Sequence, residues 1–446
     1  MKFTAFLLSV FVALSLTAED IQSRIDAAAA SGGGVVRVSS GLHVSPALRL
    51  KTGVTLHLEK GAVLRAETNL CAYAINEGHA FILAESADRV AIEGEGVIDG
   101  GGDLFPADSL DFRQQPRLVW FRDCRDVRIE GVTLRNGRRW LCYLARCDGV
   151  LVRKVKIRSL HQRKGDGFDI ESKNVLIEDC DIETQDDSIV FKAHSMDYAV
   201  ENVTVRNCRL ASNCNLIKVG TETLGTIRNI VVEDCVCRRA STTFAHGRRE
   251  WVEFKGCGIP NGPYALAGIG LAVLDGGRLE NMTVRRIALN DSCLVPVFVR
   301  LARRNWRKLP GDSFLRNVVI EDVTGTALSS TGCSITGLED MRPSGITLRN
   351  VNLKMRNGDV VPVDPLPELP QKGLYVGMWR SAMPAYGFYL RNADDVKFEN
   401  VFACDGNPGR RPVFRADGCR RVEIAGGDLA VGNRSEAGKT VKGVVK

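Results

Sequence analysis

Three of the carboxylates in two short acidic stretches, Lys164-Gly165-Asp166-Gly167-Phe168-Asp169 and Gln185-Asp186-Asp187-Ser188, are Asp166, Asp186 and Asp187, and the step from Asp166 to Asp186 is 20 positions. In a stacked solenoid such a step is about one coil, and residues one coil apart lie roughly 4.8 Å above one another. Stacking then turns Asp166, Asp186 and Asp187 into one acidic cluster. Carboxylates crowded on a solvated groove suit acid/base hydrolysis of a glycosidic bond. Like charges raise the pKa of one group, which keeps its proton while its neighbours stay ionised. Asp is also an ordinary turn former between strands, and on these residues alone the two readings weigh about equally.

The elements needed to position such a cluster are visible in the repeats. From Val35 onward, short β-branched segments open at Val54, Val90, Val127, Val150, Val175, Val203, Ile230, Met282 and Val318. The steps are 23 (127 to 150), 25 (150 to 175), 28 (175 to 203) and 27 (203 to 230), and the next, 52 (230 to 282), fits two coils. This period, with one-face alternation and Asn, Asp or Gly at the joints, predicts an all-β fold, a right-handed, single-stranded parallel β-helix. Leucine-rich repeats would show denser Leu and helices, and propeller blades would be longer. The stretch Asp20 to Ser31 predicts a short amphipathic helix ended by Gly32-Gly33-Gly34, suited to capping the first coil. Residues 101 to 117, 239 to 265 and 356 to 387 break the rhythm, and long loops on a rigid coil usually build groove walls. No low-complexity linker divides the chain, so one domain over 19–446 is expected.

Bulk properties narrow the partners. The chain has 446 residues and a formal net charge of +7, mild for its length. Its Arg pairs are scattered without interleaved aromatics, which argues against nucleic acid and fits solvated surface or a groove for an acidic polysaccharide. Lys2, the apolar run Phe3 to Leu16 and the small residues near Ser15 to Ala18 predict an export signal over 1–18, with Ala13-Leu14-Ser15 as an alternative cleavage point. No later segment is long and apolar enough to span a membrane, so a secreted or periplasmic protein, monomeric, is expected. Among the 14 cysteines, Cys180, Cys208 and Cys235 each lie five positions after a strand-opening residue, and Cys124, Cys147 and Cys419 three before one. Equivalent positions in successive coils point their side chains the same way, which does not favour disulfide geometry, so stacked free thiols are expected. No Cys/His constellation has zinc spacing. His161, His194 and His246 lack partners at metal or triad spacing, and neither metal nor cofactor is expected.

The motif pair resembles the polygalacturonases of glycoside hydrolase family 28, bacterial type, whose pattern is Asn-Thr-Asp-Gly-x-Asp followed by Asp-Asp. The likeness extends to the stretch from Leu48 to Ala62 and to Pro384-Ala385-Tyr386-Gly387-Phe388-Tyr389. The resemblance implies a pectin-lyase-like solenoid and an inverting hydrolase. Carried over, it makes Asp186 the general acid and Asp166 and Asp187 the bases that activate water. Asp169 and Lys192 match family positions. Asp169 reads first as a turn residue. Lys192 either holds a substrate acid and tunes Asp187, or forms a plain salt bridge.

Departures from the pattern bear on substrate. The family's Gly-His-Gly falls near Asn213-Cys214-Asn215-Leu216, where Cys214 or Asn215 replaces the histidine; Gly220-Thr221-Glu222 still resembles the family's next residues. The family's Arg-Ile-Lys, which grips the substrate carboxylate, falls near Gly268 to Asp275 with both basic residues missing. Lys218, Arg248 or Arg249 would then supply charge, though each is more often a surface residue. Trp140 either stacks on a sugar ring or packs at a coil edge, and His194 is the histidine best placed to touch substrate. The expected function is an inverting, exo-acting hydrolase of a pectin-related polysaccharide or oligosaccharide, not a standard polygalacturonase. The alternatives are a non-catalytic carbohydrate-binding β-helix, which the lost His, Arg and Lys favour, and a polysaccharide lyase, which the three aspartates disfavour.

Overall fold

The β-branched segments form strands because alternate side chains enter one continuous apolar interior. In the strand Phe168–Glu178, Val175 and Ile177 are buried while Leu176 between them is half-buried. Each such buried aliphatic side chain contributes about 1.5–3 kcal/mol relative to exposure. Successive strands pair in parallel, in the register of the repeat: Val127 opposite Val150, Val150 opposite Val175, Val175 opposite Val203, and Val203 opposite Ile230. The structure is a computed structural model. It describes residues 20–73, 80–105, 115–160, 164–242, 262–304, 313–358, 360–367, 379, 381–403, 405, 409–430 and 442–443. The predicted signal segment, His161, and the Arg248, Arg249 and His246 candidates lie outside the described residues.

The 52-residue step is one coil, not the two that its length suggests, because Ile230 pairs directly with Met282 and Cys235 with Ile287. The added length lies between the strands Thr226–Cys237 and Ala265–Val273, on the return path to the next coil. Strand pairing sets the coil, and a loop of any length between the same two strands leaves the register unchanged.

The joints explain the recurrent asparagines. Asn174, Asn202, Asn229, Asn281 and Asn317 all adopt left-handed backbone angles, φ 54–55°, which Asn tolerates better than most residues. Their side chains form a ladder, each amide donating to the preceding Asn oxygen at 3.1–3.3 Å. The ladder ties coil to coil outside the apolar interior. At the N-terminal end the helix Ile21–Ala30 is capped by Asp20, which accepts from Gln22 N at 3.1 Å. It buries Ile21 and Ile25 against the first strands. Among the described residues, no helix is long and apolar enough to cross a membrane.

Cys180, Cys208 and Cys235 are free and buried, as are Cys124 and Cys147; Cys419 is free and half-buried. Asp181 pairs with Arg209, and Arg209 with Val236, so the three preceding thiols stack in successive coils. Intact-mass analysis of unreduced protein is expected to show no bridge among these three. Alkylation should reach them only after denaturation, because burial withholds them from reagent. Labelling of all three in native protein would contradict the buried column.

Candidate active site

Backbone pairing brings the acidic stretches together. Gly167 N donates to Asp187 O at 2.8 Å, and Phe168 N to Ser188 O at 3.0 Å, so Asp166 and Asp187 sit on adjacent coils. Gly167 is required at this crossing: a Cβ there would stand 2.5 Å from Ser188 O. The turn at Asp186 is held by two hydroxyls, Thr184 Oγ1 and Ser212 Oγ, each donating to its carbonyl at 2.6 Å. Ser188 N donates to Asn215 O at 2.9 Å, which adds the third coil.

Two buried lysines organise the carboxylates. Lys192 Nζ lies 3.0 Å from Asp166 Oδ2, 2.5 Å from Asp169 Oδ1 and 3.8 Å from Glu222 Oε2. The Asp169 contact is a close ion pair and lacks the direction of a hydrogen bond, since neither carboxylate oxygen has a hydrogen-bond partner. Lys218 Nζ lies 2.6 Å from Asp187 Oδ2, and Asn215 Nδ2 donates to Asp187 Oδ1 at 2.6 Å. Asp166, Asp169 and Asp187 are buried, whereas Asp186 is half-exposed. The carboxylates of Asp186 and Asp187 and the thiol of Cys214 lie within 4.8 Å of one another.

Burial is the main force on Asp166 and pushes its carboxyl well above the usual range; Asp169, Asp186 and Asp187 push the same way, while Lys192 opposes. Asp169 is also raised, again chiefly by burial. Desolvation would raise Glu222 too, but Lys192 and Lys218 outweigh it and hold this carboxyl down to about 2. Burial alone would discharge Lys192; Asp169 and Asp166 instead raise it and keep it cationic. The sequence reading puts the crowded proton on Asp186. Burial and crowding also raise Asp166, so it acts as a base only once the pH exceeds its raised value.

A match to the model of the glycosyl hydrolases family 28 spans residues 37–243, and both acidic stretches fall within it. Over these residues the chain is similar to that family. It is 27% identical over 252 residues to an endo-polygalacturonase of Pectobacterium carotovorum, covering 50% of this chain and 61% of that protein. It is 27% identical over 195 residues to a probable rhamnogalacturonase A of Aspergillus oryzae, covering 43% of this chain and 39% of that protein. The chain therefore spans less than two thirds of these curated relatives. The family 28 exopolygalacturonase of Yersinia enterocolitica shares the fold with a TM-score of 0.69 at 18% identity, over 91% of this chain and 75% of that one.

Asn215, not Cys214, bonds Asp187 in the region of the family histidine. Gly268 and Gly270 occupy the region of the missing basic pair, and Lys218 stands opposite Gly270 in the strand register. Lys218 is thus one coil away from that pair and already engaged with Asp187.

The remaining predicted contacts divide. Glu222 faces Lys192. His194 is 35% exposed and bonds Glu171. Trp140 is not a platform for a sugar: it is 6% exposed, and one ring face is taken by Lys192 Nζ 3.6 Å from the centroid. It packs edge-on against Tyr143, which stacks on Trp120. Arg117 lies over all three rings. Sequence reasoning missed Glu171, Tyr143 and the buried pair Arg304–Asp275, bidentate at 2.8 and 2.5 Å, whose carboxylate also accepts from Thr223 N and so anchors the strand end beside Glu222. Glu171 was within reach of sequence logic, since it lies two positions beyond Asp169 in one strand and so shares its face.

Proposed function

We propose that this chain is an inverting glycoside hydrolase acting on a pectin-related polysaccharide or its oligosaccharides, from chain ends, and not as a standard polygalacturonase. The observation that carries this reading is the asymmetry of the acids. Asp186 is the half-exposed carboxyl, and it stands beside two carboxyls held on the groove floor by buried lysines. Asp186 protonates the leaving oxygen. Asp166 and Asp187 orient a water and take its proton, and direct attack by that water inverts the anomeric carbon. The names of the relatives, polygalacturonase and rhamnogalacturonase, support the pectic class.

The charge around the groove argues against a uronate at the cleaved position. Lys192 and Lys218 are committed to acids, Glu222 adds another negative charge, and Gly268 and Gly270 bring no side chain. A uronate carboxylate would be desolvated there without a dedicated cation among the described residues of these strands. Weak or no activity is therefore expected on unbranched polygalacturonate, and better activity on decorated or mixed-sugar chains. A reducing-end assay across polygalacturonate, xylogalacturonan and rhamnogalacturonan tests this. Robust cleavage of plain polygalacturonate to mid-length fragments would refute both the substrate and the exo parts. The exo reading draws on the outer face just before the Asp169 coil, where Trp120, Trp140 and Tyr143 pack together and are at most 8% exposed.

The same proposal includes a right-handed, single-stranded β-helix of pectin-lyase type over 19–446, with the helix Ile21–Ala30 as its cap. It also includes a removable leader over 1–18, secretion or periplasmic export, and a monomer. Trypsin-resistant mass and light scattering of exported protein test the last points.

A further inference from the structure

We infer that His194 contacts substrate beside the packed rings of Trp140 and Tyr143, and that Glu171 and Tyr143 are positioning residues that aim its imidazole; this rests on the glycoside-hydrolase reading above. Glu171 is buried and both its oxygens are used. Oε1 accepts from His194 N at 2.7 Å, while Oε2 meets His194 Nδ1 at 3.0 Å and accepts from the Tyr143 hydroxyl. Burial would raise this carboxyl, but its bonds to His194 and Tyr143 hold it below the usual range, so it is ionised. An ionised carboxylate only accepts, which places the ring proton on Nδ1. The ring is pinned at one edge against a side chain that is 2% exposed and is itself 35% exposed. The rings of Tyr143 and Trp140 flank it at centroid distances of 6.2 and 6.3 Å.

An imidazole fixed in this way by Nδ1 leaves Nε2 as its open edge, and the chemistry that edge fits is a sugar hydroxyl. His194 lies two residues beyond Lys192, which holds Asp166 and Asp169. It therefore lies close to the reacting centre without competing for the catalytic carboxylates. In the aromatic wall around it Trp140 and Tyr143 are 6% exposed, and the half-buried Arg117 lies over their rings as a cation that donates but does not accept. His194 is the part of this constellation that a terminal sugar reaches.

Two measurements test the proposal. The first needs no substrate: long-range proton–nitrogen NMR of the imidazoles, with H194Q used to assign the signal among the six histidines. The expected result is a ring protonated at Nδ1 whose signal E171Q disturbs; a ring without a proton on Nδ1 would overturn the positioning role. The second is steady-state kinetics on xylogalacturonan and rhamnogalacturonan oligosaccharides. H194A is expected to raise KM about tenfold, as for one lost hydrogen bond, with kcat nearly unchanged, and H194Q to restore part of the loss. E171Q and Y143F should raise KM in the wild-type background and add little to H194A. Unchanged KM in H194A, or full additivity of E171Q with H194A, would overturn the inference while hydrolysis itself persists. Absence of hydrolysis with Nδ1 protonated as expected would instead sink the hydrolase reading, and the substrate contact with it.

Discussion

The Asp186→Asn variant is expected to lose about 10²–10⁴-fold in kcat on whichever pectic glycan is cleaved, the usual worth of a general acid. Its thermal midpoint should stay within about 2 °C of wild type, because a half-exposed carboxyl away from the core contributes little stability. What the turn needs from this residue is its carbonyl, which Thr184 and Ser212 hold, and Asn keeps it. The neighbouring substitution behaves differently. Asp187→Asn removes the charge that Lys218 meets at 2.6 Å and leaves a buried ammonium without its principal partner, so it should cost stability as well as activity. Adjacent aspartates are thus separable by melting temperature. Removing the charge of Asp186 also removes one of the influences that raise Asp166, so residual activity in D186N should show its base ionising at lower pH. A folded D186N enzyme keeping more than about a tenth of wild-type kcat would end the assignment of Asp186 as the acid.

Features that recur along the chain are the ones legible in its sequence. The coil period rests on β-branched pairs such as Val150 and Val175, which meet because inward positions recur at fixed offsets. The asparagine joints and thiol stacks are legible for the same reason. The 52-residue coil escapes a count of spacings because coils are defined by pairing, and a return loop adds length without adding a layer. At the site, the three aspartates and Lys192 stand in motifs, but their consequences do not. That Asp166 is raised depends on burial, and burial depends on packing from neighbouring coils. Trp140 shows the same limit. An aromatic near a sugar site suggests stacking, yet the ring is spent on Lys192, a residue 52 positions away in sequence. Glu171 was hidden for the opposite reason: alternation puts it on the face of Asp169, but only the three-dimensional pairing supplies Tyr143 and His194 as its partners.

The largest stability effect is expected from Lys192→Met. This lysine is the cation between buried Asp166 and Asp169, and removing one partner of a buried pair typically costs about 3–5 kcal/mol because it strands the opposite charge. Met preserves most of the volume against Trp140, so the loss is electrostatic more than steric. Its pH dependence comes from the direction of the shifts. Asp166 and Asp169 bind protons more tightly in the native state than their ordinary value of 3.8. Their contribution to stability is therefore full below that value and is lost as pH rises through the raised ones. Lys192 limits this loss in the wild type. Without it both carboxyls rise further, and the deficit of K192M relative to wild type should widen as pH rises past the wild-type values of these carboxyls. Toward acid the two carboxyls become neutral, the missing cation no longer matters, and the gap should shrink to the packing change. Glu222 works the other way, since the two lysines hold it down to about 2, but its contribution is lost only as pH falls through that value. Thermal midpoints of both proteins as a function of pH read the difference directly. A deficit that stays constant with pH would mean that Lys192 is a packing residue and not the counter-charge that makes the acidic floor of the groove tolerable.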